Sequence, residues 1–64
     1  MLRQTLKVFN KDRYITCELT GEMDDGTLVW TEVGEDGELI LDNQYYEEFC
    51  TNVFTKENKV WVKF

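Results

Sequence analysis

The sequence predicts a mainly β fold, either a small antiparallel curled sheet of five to six strands or an SH3-like or OB-like barrel, with one short helix near residues 43–50. Stretches in which apolar and polar residues alternate are typical of half-buried strands. Glycine-rich and acidic turn sequences separate these stretches at short intervals. The chain of 64 residues is too short for two domains, so we expect residues 1–64 to form one. A flat sheet that carries the helix on one face is the alternative.

Three strands are predicted in the first half of the chain. Apolar and polar residues alternate over 2–9 and again over 14–19, and the polar turn at 10–13 predicts that the two strands form a hairpin. The sequence GEMDDG at 21–26 ends in Asp-Gly, which favours a second reversal. The segment 27–33 is rich in β-branched and aromatic residues, which favour a third strand.

The second half begins with a turn at 34–37 and a short fourth strand at 38–41, in which Leu39 and Leu41 lie on one face. A final hairpin is predicted from strands at 52–55 and 59–64.

The segment between these two elements has a different period. Tyr45 and Phe49 are four residues apart, as are Tyr46 and Cys50, and such pairs lie on one side of a helix. An acidic or amide residue just before them is suited to cap a helix N-terminus. This spacing predicts one to two helical turns.

Catalytic and metal-binding patterns are missing from the sequence. It contains no histidine, no C-x-x-C spacing and no glycine-rich phosphate loop, and its acidic turns do not fit the ligand spacing of an EF-hand. We therefore predict no enzyme activity, no cofactor and no specific metal, with a weak divalent-cation site at an acidic turn as the alternative. Cys17 and Cys50 are expected as reduced, buried thiols, and a disulfide between them is the alternative.

The charged residues are unevenly distributed along the chain. The net charge is −6, and the segment 14–55 holds eleven of the thirteen acidic residues and none of the seven basic ones. Nucleic-acid affinity depends on Lys and Arg, so direct nucleic-acid binding is not expected. No apolar run approaches the length of a membrane span, and the N-terminus does not resemble a signal peptide. We therefore expect a cytoplasmic protein that does not bind membranes.

The nine aromatic residues are expected to divide between core and surface. Phe9, Phe49, Phe54 and one of the two tryptophans are predicted to fill the interior. The remaining aromatics lie beside acidic residues and are predicted at the surface, where they would suit a basic partner. This surface group consists of Tyr14, Tyr45, Tyr46 and the other tryptophan.

These features predict a non-enzymatic acidic protein that binds and inhibits a basic, nucleic-acid-binding protein by imitating nucleic-acid charge. We expect it to be a monomer or a small homo-oligomer. In size and acidity alone the chain resembles the small inhibitors that bacteriophages make against host defence proteins, which implies the host cytoplasm as its location. The alternative is a small β-barrel adaptor or complex subunit that binds a peptide or protein through a Trp/Tyr surface. The predicted partner-binding residues are Glu18, Glu22, Asp24, Asp25, Trp30, Glu32, Glu35, Asp36, Glu38, Asp42, Tyr45, Tyr46, Glu47 and Glu48.

Overall fold

Six antiparallel strands form the fold in the computed structural model, which describes residues 2–8, 13–49 and 51–63. Each strand pairs with its neighbour along the chain, and β1 also pairs with β6, so the sheet curls round and closes into a barrel. The predicted mainly β fold, a curled antiparallel sheet of six strands, is confirmed, and the flat-sheet alternative is wrong. The strands are β1 (Arg3–Val8), β2 (Tyr14–Glu22), β3 (Leu28–Val33), β4 (Leu39–Glu47), β5 (Val53–Lys56) and β6 (Lys59–Lys63).

The predicted helix near residues 43–50 is wrong, because β4 continues through this segment to Glu47 and the described residues contain no helix. Tyr45 and Glu47 face inward and Tyr46 faces outward, which is the period of a strand. The sequence conceals this alternation because one of the two inward residues is a glutamate. Pairing with β3 on one side and β5 on the other satisfies the backbone groups that a helix would have bonded internally.

A wide bulge shifts the register between β3 and β4. Thr31 pairs with Gln44, whereas the next residue, Glu32, pairs with Ile40, so residues 41–43 have no partner on β3. Ile40, which precedes the bulge, is partly buried, and Tyr45, which follows it, is fully buried. The bulge therefore lets both parts of β4 direct a side chain toward the interior. Leu39 and Leu41 do share a face, but that face is exposed to solvent.

Among the described residues, the core of the barrel contains the buried apolar side chains of Leu6, Ile15, Cys17, Trp30, Tyr45, Phe54 and Trp61. Its aromatic rings meet edge to face, with Trp30 against Phe54 at 5.4 Å and Tyr45 against Trp61 at 5.3 Å between centroids. Such contacts stabilise an aromatic pair by about 0.5–1.5 kcal/mol beyond the burial of its surface.

The division of the aromatics differs from the prediction at several positions. Both tryptophans are buried, as is Tyr45, which is 2% exposed, so the prediction of surface positions for one tryptophan and for Tyr45 is wrong. Phe49, predicted in the core, is 70% exposed because it lies in the turn after β4. Core positions for Phe54 and surface positions for Tyr14 and Tyr46 are confirmed. Phe9 and Cys50 lie outside the described residues.

Candidate interaction surface

The eleven acidic residues of segment 14–55 separate into exposed and engaged groups. Eight are exposed, namely Glu22, Asp24, Asp25, Glu35, Asp36, Glu38, Asp42 and Glu48. The other three are at least partly buried and bonded to other side chains, namely Glu18, Glu32 and Glu47. Only the exposed group is available to a partner.

Two acidic turns with the same bonding pattern flank β3. In the first, the amide of Gly26 donates to the carbonyl of Met23 at 3.0 Å; in the second, the amide of Gly37 donates to the carbonyl of Gly34 at 3.0 Å. Both Gly26 and Gly37 have positive φ, which glycine adopts without steric cost. The two turns therefore share the same backbone hydrogen bond and a glycine of positive φ at the same position.

An aspartate stabilises each of these turns from within. Asp25 Oδ1 accepts the amide of Thr27 at 2.9 Å, and Asp36 Oδ1 accepts the amide of Glu38 at 3.0 Å. The Thr27 amide favours the ionised carboxylate and so lowers the pKa of Asp25. Asp24 and Glu35, which stand before these aspartates, are left free to make contacts.

Because the two turns stand at either end of one strand, they lie at opposite ends of the barrel. The first acidic end comprises Glu22, Asp24, Asp25 and Glu48, since the β4–β5 turn meets the β2–β3 turn there. A Cβ atom at Gly26 would lie 3.9 Å from Cβ of Phe49, which shows that these two turns adjoin. The second acidic end comprises Glu35, Asp36 and Glu38. Asp42 lies between the ends, in the β4 bulge.

The two acidic ends differ in their surroundings. At the first acidic end, Met23 and Phe49 are exposed among the carboxylates, and neither turn contains a Lys or Arg. The second acidic end shares its side of the barrel with the β5–β6 turn, whose flanking residues include Lys56 and Lys59. The two turns of the first acidic end therefore contain acidic charges only, whereas the side of the barrel that holds the second carries both signs of charge.

Contrary to the prediction, Glu18 and Glu32 do not offer free carboxylates. Glu18 is 4% exposed and accepts from Arg3 Nε at 3.2 Å, its pairing partner across β1 and β2. Glu32 accepts from Asn43 Nδ2 at 3.1 Å and lies 3.9 Å from Arg13 Nη2. Burial makes a bonded partner necessary for each charge, so both residues stabilise the fold.

Glu47 and Trp30 form the most buried polar contact. Glu47 is 4% exposed; its Oε1 accepts from Trp30 Nε1 at 3.1 Å, and its Oε2 accepts from the Asn52 amide at 2.7 Å. Asn52 has a positive φ of 65°, so the carboxylate holds a left-handed residue in the β4–β5 turn. Both side chains were predicted at the partner surface, and the structure buries them because each satisfies the other's polar atoms.

Of Trp30, Tyr45 and Tyr46, the three aromatic residues predicted to bind a partner, Tyr46 is exposed and the other two are buried. Tyr46 stands opposite Thr55 on β5, which in turn stands opposite Val60 on β6, and all three side chains are exposed. Val53 is exposed on the same face of β5. This row, the Tyr46 face, crosses the outside of the barrel.

A cleft of about 570 Å³ lies beside the second acidic end, between the β1–β2 strands and the β3–β4 turn. Its lining includes Arg3, Arg13, Glu32 and Glu35. Neither arginine was predicted as a binding residue. The signal that identifies Arg13 is its position just before β2, on the same side of the barrel as the β3–β4 and β5–β6 turns.

The thiol of Cys17 is buried in the core of the barrel. Burial raises the pKa of the Cys17 thiol to about 12, with a further contribution from the charge of Glu32, so the thiolate that a nucleophile requires is disfavoured. In the described part of the chain, no group of three or more Cys, Asp or Glu side chains is arranged to hold a metal ion. The same residues include no helix of the length and apolarity that a membrane crossing requires.

No protein-family model matches the chain, and no curated protein or solved structure is significantly similar to it. Its function is therefore inferred from the residues that the fold exposes.

Proposed function

We propose that the protein is a non-enzymatic binding protein whose first acidic end engages the basic surface of a nucleic-acid-binding partner and inhibits it. The observation that carries this proposal is the exposure of Phe49 and Met23 beside four carboxylates, with no cation in either turn. Protein interfaces commonly combine an apolar anchor with a polar rim, and aromatic residues and methionine are enriched among such anchors.

Charge supports the choice of a basic partner. The four carboxylates attract a cationic surface over a range set by salt, and complementary charge raises association rates. A groove that accepts the closely spaced charges of DNA also attracts a dense group of carboxylates, which is how the protein would compete with nucleic acid.

The decisive experiment compares two triple variants that change the net charge equally. Glu22→Gln/Asp24→Asn/Glu48→Gln neutralises the first acidic end, and Glu35→Gln/Asp36→Asn/Glu38→Gln neutralises the second. The Asp36→Asn substitution keeps the side-chain oxygen that accepts the Glu38 amide, so the second turn retains its bond. Asp25 is left unchanged because it holds the first turn.

Each variant is immobilised and exposed to a nuclease-treated lysate of the source cells, and the bound proteins are eluted with stepped salt and identified by mass spectrometry. We expect one nucleic-acid-binding protein to dominate the eluate, and we expect added DNA to displace it. Its binding should be lost with the first triple variant and with Phe49→Ala, and retained with the second triple variant. Equal loss with both triple variants would show that only net charge matters and would contradict the assignment to one end.

The Tyr46 face favours a second candidate function, that of an adaptor which binds a peptide or protein chain. Tyr46, Thr55 and Val60 provide a continuous exposed row without an acidic residue in it. Tyr46→Ala is expected to abolish binding in this case, and neutralisation of either acidic end to leave it intact. A partner that resists both salt and DNA would also favour this function.

A further inference from the structure

A small cavity of about 190 Å³ lies beside the β5–β6 turn, at the end of the barrel opposite to the first acidic end. Three cationic side chains line it, Arg13, Lys56 and Lys59, together with a single acidic one, Glu57. This excess of positive charge occurs in a protein whose net charge is −6. The cavity therefore has the opposite sign to the rest of the molecule.

Trp61, one of the residues that line this cavity, has a buried hydrogen-bond donor in its indole ring. Trp61 is 5% exposed, and its Nε1 is buried without an acceptor among the described residues. A buried N–H group without an acceptor costs roughly as much as a lost hydrogen bond, so native proteins rarely leave one unpaired. The other tryptophan, Trp30, obeys this rule through its bond to Glu47.

Two of these cations contact other side chains, and Arg13, whose side chain is 60% exposed, also lies 3.9 Å from the Glu32 carboxylate. The guanidinium carbon of Arg13 lies 5.8 Å from the centre of the Trp61 ring, a cation–π contact. The Lys56 side chain is 16% exposed, and its Nζ is 3.1 Å from Oε1 of Glu57, a side chain that is largely in solvent. Lys59 makes no ion pair with any described residue.

We propose that this cavity binds a small oxyanion, a phosphate or carboxylate group, between Arg13, Lys56, Lys59 and Trp61. Arginine and lysine are the usual ligands of such groups. The Trp61 side chain lines the same cavity and therefore lies close to a bound anion. Water occupies about 30 Å³ per molecule in the liquid, so the cavity has room for an anion that replaces a few waters.

The experiment titrates the 15N-labelled protein with sodium phosphate, and separately with sodium acetate, at ionic strength held constant with sodium chloride. Two indole N–H resonances are followed, and a Trp61→Phe variant assigns them. We expect a saturable shift of the Trp61 resonance, whereas the Trp30 resonance stays in place because its N–H is already bonded. The two titrations show whether phosphate or carboxylate binds more tightly.

Three single variants test the charges. Lys59→Gln should weaken anion binding roughly two- to fivefold, the range expected for one partly exposed charge contact. Glu57→Gln should strengthen it, because Lys56 loses its competing carboxylate. Glu22→Gln changes the net charge as Glu57→Gln does, but at the far end of the barrel, and should leave the affinity unchanged.

The proposal is overturned if the Trp61 resonance does not move, or if chloride moves it as much as the oxyanions do. It is also overturned if Lys59→Gln binds as the unmodified chain does, or if Glu22→Gln and Glu57→Gln have equal effects, since binding would then follow net charge alone.

Discussion

At the scale of single residues, Glu47 shows how a charged side chain can be a structural element. Its two oxygens accept from the Trp30 indole and the Asn52 amide and so join the core to the β4–β5 turn. Glu47 was predicted at the partner surface with the other acids, because nothing in the local sequence distinguishes a carboxylate that will be buried from one that will be exposed. Its exposed neighbour Glu48 has nearly the same sequence context.

This pair provides a direct stability test. We expect Glu47→Ala to lower the free energy of unfolding by about 2–3 kcal/mol, because it leaves the buried Trp30 N–H without an acceptor. Glu47→Gln retains one oxygen and should cost less. Glu48→Ala is the control and should change stability by less than about 0.5 kcal/mol. Urea unfolding measures all three, and an equal effect of Glu47→Ala and Glu48→Ala would contradict the structural role of Glu47.

At the scale of elements, the strands and turns follow local sequence wherever turn chemistry is explicit. The hairpins around the Asp-Gly turns and the last hairpin were predicted within a few residues. The exception is the second half of β4, where the i, i+4 aromatic spacing indicated a helix. Strand pairing on both sides of this segment outweighs that local spacing, because pairing satisfies its backbone and buries Tyr45.

The acidic turns allow a test of backbone strain without a packing change. Gly37 has a φ of 84°, and a Cβ there would meet nothing within 4 Å, so Gly37→Ala isolates the cost of a left-handed alanine. We expect it to destabilise the fold by about 1–2 kcal/mol. Gly21 lacks a positive φ, and a Cβ there would lie 3.8 Å from Cβ of Val29, an ordinary contact. Gly21→Ala should therefore be close to neutral in thermal unfolding; a larger loss than for Gly37→Ala would contradict this account.

At the scale of the whole molecule, charge is arranged by the order of the strands. Consecutive hairpins place their turns at alternate ends, so the acidic turns on either side of β3 become separate acidic ends. The same rule brings the start of β2, the β3–β4 turn and the β5–β6 turn to one end. It places Arg13 next to Lys56 and Lys59 although more than forty positions separate them in sequence.

This arrangement predicts how salt affects stability. The two turns of the first acidic end carry carboxylates and no Lys or Arg. Salt screens the repulsion among these carboxylates, so the melting temperature should rise between low salt and about 0.15 M, where the Debye length is near 8 Å. The Glu22→Gln/Asp24→Asn/Glu48→Gln variant should show a smaller rise than the Glu35→Gln/Asp36→Asn/Glu38→Gln variant, although both have the same net charge. Equal salt responses in the two variants would contradict the difference between the ends.

The fold class, the positions of most turns and the acidic character of the central segment follow from local sequence, because turn residues, alternation and charge are local properties. The closed barrel determined which carboxylates are exposed, buried Tyr45 and both tryptophans in the core, and left Phe49 in solvent. It also decided that cations from the two ends of the chain line one cavity. These properties depend on strand register and barrel closure, which bring distant residues together and which no short stretch of sequence encodes.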